Sequence, residues 1–243
     1  MNATVLPTAV GLRKRLRKLA NPERAEVSRG YFKTGPGQYG EGDRFFGVAV
    51  PQMRKLAKEL QSMAPEEVIA ALRSPWHEER LVALLILVRQ FGQGDDQQRY
   101  RIYRLYLEHT AQINNWDLVD ASAEHIVGAY LVSRSRAPLR KLARSKLVWE
   151  RRIAILSTYH FIKHGDVAET LGLAALLLRD SHDLIHKAVG WMLREVGKRD
   201  LAAEQEFLDQ HAGTMPRTML RYAVERFPEP LRRKYLAMGM RGG

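Results

Sequence analysis

The sequence predicts an all-α protein made of repeated helix pairs, and three observations support that prediction. Apolar residues recur at helical spacing through most of the 243-residue chain. No segment alternates polar and apolar residues with a period of two, which argues against a sheet. Similar short sequences also recur along the chain at intervals of about 35 residues, which is typical of a helical repeat.

Helix starts are marked by prolines and capping residues. Asn21-Pro22-Glu23 combines a capping side chain, a proline at the first helical position and an acidic first turn. Prolines 51, 65 and 216 mark three further starts. The apolar patterns predict long helices over 77–91, 97–109, 116–132, 148–163, 182–198 and 216–227, and shorter ones over 137–144, 166–178 and 201–210.

One segment, residues 34–50, is too rich in glycine to be helical. It carries glycines at 35, 37, 40, 42 and 47. We expect a loop there, either ordered and functional or flexible, within a single repeat domain that spans residues 1–243.

The repeats place one residue of each helix in register. The aligned positions are 40, 32, 35 and 34 residues apart, and they are occupied by Arg80, Asp120, Arg152, Lys187 and Arg221. Equivalent positions of successive repeats line up along one surface of a solenoid. The sequence therefore predicts a HEAT-like α-solenoid of antiparallel helix pairs, with a basic concave groove that holds one carboxylate.

The composition excludes several classes of function. The chain has no cysteine, so disulfides, thiolate zinc sites, iron–sulfur clusters and cysteine nucleophiles are ruled out. No apolar run approaches the ~20 residues of a membrane span, and the basic residues follow the first apolar stretch, which is the wrong order for a secretory signal. We expect a cytoplasmic protein without membrane contact.

The charge favours an anionic polymer as partner. There are 39 Lys and Arg against 27 Asp and Glu, a net charge of +12. Residues 13–18 form one basic cluster, and residues 134–152 form a second with a single acid, Glu150. Lys and Arg clusters suit a phosphate backbone. A surface that only aids solubility, or one that meets anionic lipid, remains an alternative.

Two tryptophans lie away from the predicted core stripes. In helix 182–198, Trp191 falls with Lys187 and Arg194 on the side opposite the apolar stripe. It contacts either a ligand or a neighbouring repeat. In helix 116–132, Trp116 and Asp120 are four residues apart and share one face.

Asp120 is expected in the early turns of its helix, where the backbone dipole favours a carboxylate. It is either a functional acid or a structural partner of Arg152 in the next repeat. Arg152 is expected to be partly buried and to need an anion, which is either Asp120 or a phosphate.

A metal or nucleotide enzyme is disfavoured. His160 and His164, like His182 and His186, have ligand-like spacing but lack the Glu of a His-Glu-x-x-His motif. The glycine-rich segment has no Gly-Lys-Ser/Thr, and no Gly-x-Ser-x-Gly occurs. We expect no metal and no cofactor.

Several blocks resemble the AlkD-type DNA alkylation-repair glycosylases. The most specific is Asn115-Trp116-Asp117-Leu118-Val119-Asp120, and residues 149–156 and 187–195 also match. The resemblance extends to Asn21-Pro22-Glu23, to Tyr31 and to residues 46–48, so it covers most of the chain in order.

The resemblance implies a metal-independent and cofactor-independent hydrolase that removes positively charged N3- or N7-alkylated purines from duplex DNA. By position it assigns the catalytic carboxylate to Asp120, an aromatic pair to Trp116 and Trp191, a groove arginine to Arg152 and an aromatic near the lesion to Tyr31. The chain departs from the family pattern at Ala49, where a glutamine is usual, and in a longer glycine-rich insertion before Phe45.

The mechanism that follows needs one carboxylate, because an alkylated purine cation is already a good leaving group. Asp120 is expected to stabilise the sugar cation and orient water, while Arg152, Lys187 and Arg194 grip phosphates. A monomer at the nucleoid is expected. Two alternatives stay open: a non-catalytic protein that recognises damaged or branched DNA, and a protein-interaction scaffold.

Overall fold

A computed structural model of the protein describes residues 6–238 and confirms the all-α prediction. Within these residues no strand forms, and the one isolated bridge joins Arg44 to Trp76. The helices are α1 (Ala9–Lys18), α2 (Pro22–Tyr31), α3 (Val50–Glu59), α4 (Pro65–Leu72), α5 (His77–Gln93), α6 (Asp96–Glu108), α7 (Trp116–Asp120), α8 (Ala129–Leu131), α9 (Ala137–Ala143), α10 (Val148–Lys163), α11 (Ala168–Leu177), α12 (Asp183–Gly197), α13 (Leu201–His211), α14 (Arg217–Ala223) and α15 (Glu229–Met238).

The chain forms two compact units, and the boundary between them in the sequence lies between Ile126 and Val127. The first contains α1 to α7 and the second contains α8 to α15. The single repeat domain over 1–243 stays a prediction. No described helix is both long and apolar enough to cross a membrane. Residues 1–5, which begin the first apolar stretch of the sequence, lie outside the described residues.

The second unit has the layering that a helical repeat requires. Helices α10, α12 and α14 pack on one another in order, and α9, α11 and α13 pack against them. Arg152, Lys187 and Arg221 are each the fifth residue of a helix, counted from Val148, Asp183 and Arg217. The register that the sequence assigned to these three positions therefore matches the helix boundaries.

The predicted continuous helix over 116–132 is wrong. It ends at Asp120, and a π-helical turn, Glu124–Gly128, precedes α8. The hydroxyl of Ser122 donates to the Leu118 carbonyl at 2.5 Å and lies 2.9 Å from the Tyr106 hydroxyl. In a continuous helix the Ser122 amide would bond to the same Leu118 carbonyl, but it bonds to Val119 at 3.0 Å, and serine bonds of this kind bend helices. Irregular turns of this kind are frequent at functional sites.

The glycine-rich segment is an ordered loop. Phe45, Phe46 and Val48 are buried, and the buried carboxylate of Glu78 accepts the amides of Phe46, Gly47 and Val48 at 3.0, 2.7 and 3.3 Å. A glycine is needed at position 47, because φ is +80° there and a Cβ would lie 2.6 Å from the Ala25 nitrogen. Of the two forms that the sequence left open, the ordered one is observed.

Helices α12 and α14 approach closely at Gly190. A Cβ on this residue would overlap the Met219 carbonyl oxygen and lie 2.5 Å from Cβ of Tyr222. Gly172 in α11, by contrast, is exposed and has nothing within 4 Å of its Cβ position. The two glycines therefore separate the effect of crowding from the effect of helix propensity.

We expect Gly190→Ala to lower the free energy of unfolding by about 2–3 kcal/mol, because the added methyl group forces α12 and α14 apart. Gly172→Ala is the matched control and should raise it by roughly 0.5–1 kcal/mol through helix propensity alone. Urea unfolding monitored by circular dichroism measures both. Equal effects in the two variants would contradict the close approach.

Candidate functional site

The first unit brings three of the predicted site residues together. Trp116 and Asp120 are the first and last residues of α7, and both are half-buried. Tyr31, at the end of α2, is 62% exposed. Its ring lies edge-on to Trp116, with the centroids 5.7 Å apart. A carboxylate and two aromatic rings are thus presented by residues 31–120 of one unit.

Asp120 does not lie in the early turns of a long helix, so the expected support from a helix N-terminus is wrong. It ends the five-residue α7, where Ser122 has interrupted the backbone pattern. The charge of Asp120 acts on the buried Tyr106 hydroxyl: burial, with the added charge of Asp120, raises the pKa of Tyr106, against the hydrogen bond with Ser122. Asp120 therefore lies at the helix break, on the side of α7 near the buried Tyr106.

A buried histidine lies at the centre of the same unit. His77, the first residue of α5, has a side chain only 3% exposed. Its Nδ1 lies 3.0 Å from the carboxylate of Asp43, and its Nε2 lies 2.8 Å from that of Asp117. Asp43 belongs to the glycine-rich loop and Asp117 to α7. One imidazole therefore joins the loop to the helix that carries Trp116 and Asp120.

His77 is an imidazolium at neutral pH. A carboxylate only accepts hydrogen bonds, so each ring nitrogen that faces one must carry a proton. Burial alone would lower the pKa of His77, but the charge of Asp117 and the hydrogen bonds to both carboxylates outweigh it and raise the pKa to about 9. Burial opposes ionisation of Asp43 too, yet the bond from His77 and the charge of Arg80 hold the pKa of Asp43 below its usual value.

The predicted row of groove cations is wrong at Arg80. Its side chain is 4% exposed, and its guanidinium pairs with Asp43 and donates to the Ser74 carbonyl at 3.0 Å. Asp43 needs this second cation because it is buried with a carboxylate charge. Arg80 thus serves the interior of the first unit and is not available to a phosphate.

Aromatic rings enclose the histidine. The rings of His77, Phe32 and Phe45 form a triangle with centroid separations of 4.7, 4.8 and 5.2 Å. Phe32 also stacks on Trp116, with centroids 5.5 Å apart. Aromatic faces attract a desolvated cation, so this packing suits an imidazolium.

A cleft of about 320 Å³ opens beside this cluster, and its walls include Tyr31, Phe45, His77 and Asp117. Ala49, the residue that departs from the family pattern, also lines it, from the N-cap position of α3. The residue that departs from the family pattern thus lies on the wall of the cleft, which Tyr31 also lines. A longer side chain at position 49 would extend from that wall.

The second unit holds the other predicted site residues. Arg152 in α10 is more deeply buried than expected, at 5% exposure, and its Nη1 donates to the Leu184 carbonyl at 2.7 Å. Leu184 belongs to α12, so the guanidinium links two successive long helices.

Trp191 and Arg194 share a carboxylate on α12. The indole Nε1 of Trp191 donates to Glu195 Oε1 at 3.1 Å, and Arg194 approaches the same oxygen at 3.7 Å. Arg194 also pairs with Glu225, and Lys187 pairs with Asp183 at 2.7 Å. Trp191 is half-buried, with its ring centroid 6.0 Å from that of Tyr159, so it packs within the unit and stays partly exposed.

Much of the basic cluster at 134–152 is paired within the chain. Arg136, Arg140 and Arg151 bind Asp166, Glu169 and Asp180, each about one repeat further along. Lys141, Arg144 and Lys146 are exposed and form no ion pair among the described residues. These three side chains are the part of the cluster that is available to a polyanion.

The histidine pairs are engaged with the backbone. His164 Nδ1 donates to the His160 carbonyl at 2.7 Å, and His182 Nδ1 accepts the Leu184 amide at 3.1 Å as a helix cap. Among residues 6–238, no three His, Asp or Glu side chains are placed to hold a metal ion.

Comparison with known proteins identifies the family. The sequence profile of the DNA alkylation repair enzyme family matches residues 12–227. The chain belongs to that family. The resemblance to AlkD-type proteins is thereby confirmed over most of the sequence, and membership supports an enzymatic role in DNA alkylation repair, with DNA as the partner.

A solved structure supports the same fold. It is described as a predicted DNA alkylation repair enzyme from Enterococcus faecalis and aligns with a TM-score of 0.66 at 17% identity, over 86% of this chain and 97% of that one. No curated protein sequence gives a significant match.

Sequence reasoning missed the buried histidine cluster of this family member. Asp43 lay in a loop of undecided structure, and His77 carried no signal beyond the start of a helix. Asp117 was a visible clue, since it falls inside the Trp-Asp-x-x-Asp block on a face different from that of Trp116 and Asp120. Its partner is 40 residues away in sequence and could be identified only in the folded chain.

The raised pKa of His77 makes stability depend on pH. Its contribution is complete below the unfolded value of 6.5 and is lost as the pH rises through about 9, which corresponds to on the order of 3 kcal/mol. We expect the difference in unfolding free energy between wild type and His77→Phe to shrink over that range. Urea unfolding at pH 6, 7, 8, 9 and 10 measures it, and a constant difference would contradict the assignment.

Proposed function

We propose that the protein is a DNA glycosylase that removes N3- or N7-alkylated purine cations from duplex DNA by hydrolysis. The observation that carries this proposal is the pair formed by Asp120 and Trp116, one helical turn apart and both half-exposed, in a chain that belongs to the DNA alkylation repair enzyme family. A carboxylate beside an accessible indole suits a substrate whose positive charge lies on the base at first and moves to C1′ as the bond breaks.

The reaction breaks the bond between C1′ and the purine nitrogen. The bonding electrons go to the alkylated base, which leaves neutral because it was a cation beforehand. Positive charge develops at C1′, and the oxygen of a water molecule adds there and releases a proton. We assign to Asp120 the stabilisation of that charge and the orientation of the water.

The aromatic residues provide the second part of the proposal. Trp116 and Tyr31 contact each other, and Trp191 in the second unit is partly exposed. Indole and phenol faces attract a cationic base, with about 0.5–2 kcal/mol for each contact. We assign binding of the sugar and the base to Trp116 and Trp191, and a position near the lesion to Tyr31.

The cations are assigned to phosphates. The family resemblance assigns Arg152 to the DNA groove, the repeat register adds Lys187, and Arg194 shares the helix face of Lys187. Because Arg152 is 5% exposed and donates to the Leu184 carbonyl, we assign the direct phosphate contacts to Lys187 and Arg194. Lys187 and Arg194 form ion pairs with Asp183 and Glu225 in the absence of DNA. Phosphates would compete with these carboxylates for the two cations. Lys141, Arg144 and Lys146 extend the basic surface without such competition.

Replacement of Asp120 by asparagine tests the chemistry. We expect Asp120→Asn to reduce the single-turnover release of 7-methylguanine and 3-methyladenine from methylated duplex DNA by about 100-fold, since it removes the charge that opposes the sugar cation. Released bases are quantified by chromatography.

Asp96→Asn is the matched control, because Asp96 is an exposed carboxylate at the start of α6 in the same unit. It should release base at the wild-type rate. Equal rates for Asp120→Asn and wild type would remove Asp120 from the mechanism. Tight binding of methylated duplex by wild type without any base release would favour the non-catalytic alternative.

The salt dependence of DNA binding tests the basic surface. Each lost phosphate contact lowers the slope of log K against log salt by roughly 0.9, so the triple change of Lys141, Arg144 and Lys146 to glutamine should lower it by about 2–3. Fluorescence anisotropy with an undamaged duplex at several salt concentrations gives the slope.

The matched control removes three paired cations from α15. Arg232 and Arg233 pair with Glu229, and Lys234 pairs with Asp209. Their replacement by glutamine should change the slope much less. If both triple variants lower the salt slope by the same amount, DNA has no preference for the unpaired cations over the paired ones.

A further inference from the structure

The helix that carries the proposed catalytic carboxylate is too short to be stable by itself. It has five residues, Trp116–Asp120, whereas isolated helices shorter than about 12–15 residues are marginal in water. Leu118 and Val119 are buried, but Trp116 and Asp120 lie on its half-exposed part. Burial of Leu118 and Val119 anchors the helix, and the hydrogen bonds at its two ends add directional restraints on Trp116 and Asp120.

At its C-terminal end, α7 is held by the backbone bonds of Ser122 described above. At its N-terminal end, two side chains attach it to the glycine-rich loop. Asn115, the N-cap, accepts the Trp116 amide at 2.8 Å and donates to Asp43 at 3.2 Å. Asp117 accepts from His77, which also binds Asp43. Both attachments pass through Asp43.

The attachment depends on charge. His77 faces two carboxylates, Asp43 from the loop and Asp117 from α7, and Arg80 neutralises Asp43 from behind. The other two acids at this end of α5 are also engaged: Glu78 accepts the amides of residues 46–48, and Glu79 pairs with Arg13. A neutral imidazole carries one proton, so it can donate to one of its two carboxylates and not to both. Deprotonation would thus leave either the loop or α7 without its bond.

We propose that the imidazolium of His77 is a positioning residue, which locks the glycine-rich loop to α7 through Asp43 and Asp117 and so sets Trp116 and Asp120 for the reaction. The proposal deepens the glycosylase function and rests on it. His77 is nearly inaccessible to solvent, so it acts on the reaction through Trp116 and Asp120 and does not touch the DNA. The same lock gives the glycine-rich loop its role, which the sequence left open.

The four tryptophans provide a local readout of this lock. Trp116 stacks on Phe32 inside the cluster, Trp76 stacks on Phe46 of the loop at 3.9 Å, and Trp149 and Trp191 lie in the second unit. Incorporation of 5-fluorotryptophan gives one ¹⁹F resonance for each indole, and Trp116→Phe assigns the Trp116 signal. The second-unit resonances are internal controls.

In the full-length wild type, we expect the Trp116 resonance to shift or broaden with a midpoint near pH 9, while that of Trp149 stays constant. His77→Phe keeps the aromatic triangle but has no proton to lose, so its Trp116 resonance should lie at the wild-type high-pH position at every pH. Asp117→Asn can still accept from Nε2 but lacks the charge that favours the imidazolium. Its midpoint should fall by at least one pH unit.

Base release gives the second readout. Single-turnover release by wild type should fall at least tenfold above pH 9, and His77→Phe should be slow at all pH values without that transition. The dissociation constant for undamaged duplex should change less than threefold, because the cations remain. Such a split between rate and binding is not expected of a residue that only stabilises the unit.

Two outcomes overturn the proposal: a Trp116 resonance that does not titrate, or one that titrates together with all three other tryptophans. If His77→Phe fails to fold, the midpoint of Asp117→Asn decides. A wild type that releases no base refutes the glycosylase function, whereas the ¹⁹F titration still tests the lock. Base release without a local Trp116 transition refutes the lock and leaves the glycosylase function standing.

Discussion

The first unit depends on one buried cation between two carboxylates. His77 joins Asp43, in a loop that has no regular structure of its own, to Asp117, in a helix too short to be stable alone. The loop is also held by Glu78, and α7 by its buried Leu118 and Val119, while the contact through His77 fixes the two segments relative to each other. A charged hydrogen-bonded pair in a low-dielectric interior is strong and directional, which makes it suited to fixing a geometry. Removing any one member leaves another charge buried without its partner.

A second constraint is the use of charge inside the repeats. The net charge of +12 suggests a broad cationic surface, yet Arg136, Arg140 and Arg151 are paired with acids 30, 29 and 29 residues further along. These pairs join successive repeats of the second unit at a constant spacing. The charge that remains for a polyanion is therefore concentrated in fewer side chains than the composition implies.

The placement of Asp120 combines regularity with an interruption. The repeat register puts it at the fifth position of its helix, as it does Arg152 and Lys187 in theirs. Ser122 then ends that helix, so the carboxylate lies where the backbone changes from α to π geometry. The repeat therefore sets the position of Asp120 along the chain, and a local break follows directly after it.

The sequence by itself determined the all-α class, most of the helix boundaries, the family and the positions that line up between repeats. Those properties follow from local signals: apolar periodicity, capping residues and short blocks such as Asn115–Asp120. It did not determine that the helix at Trp116 stops after five residues, that Arg80 is buried, or that His77 bridges Asp43 and Asp117. The helix break involves Ser122 with its neighbour Leu118 and with Tyr106, 16 residues away, whereas Arg80 with Asp43 and His77 with its two acids are 34 to 40 residues apart. Such partners have no fixed sequence spacing, because only the packing of the helices brings them within hydrogen-bonding distance.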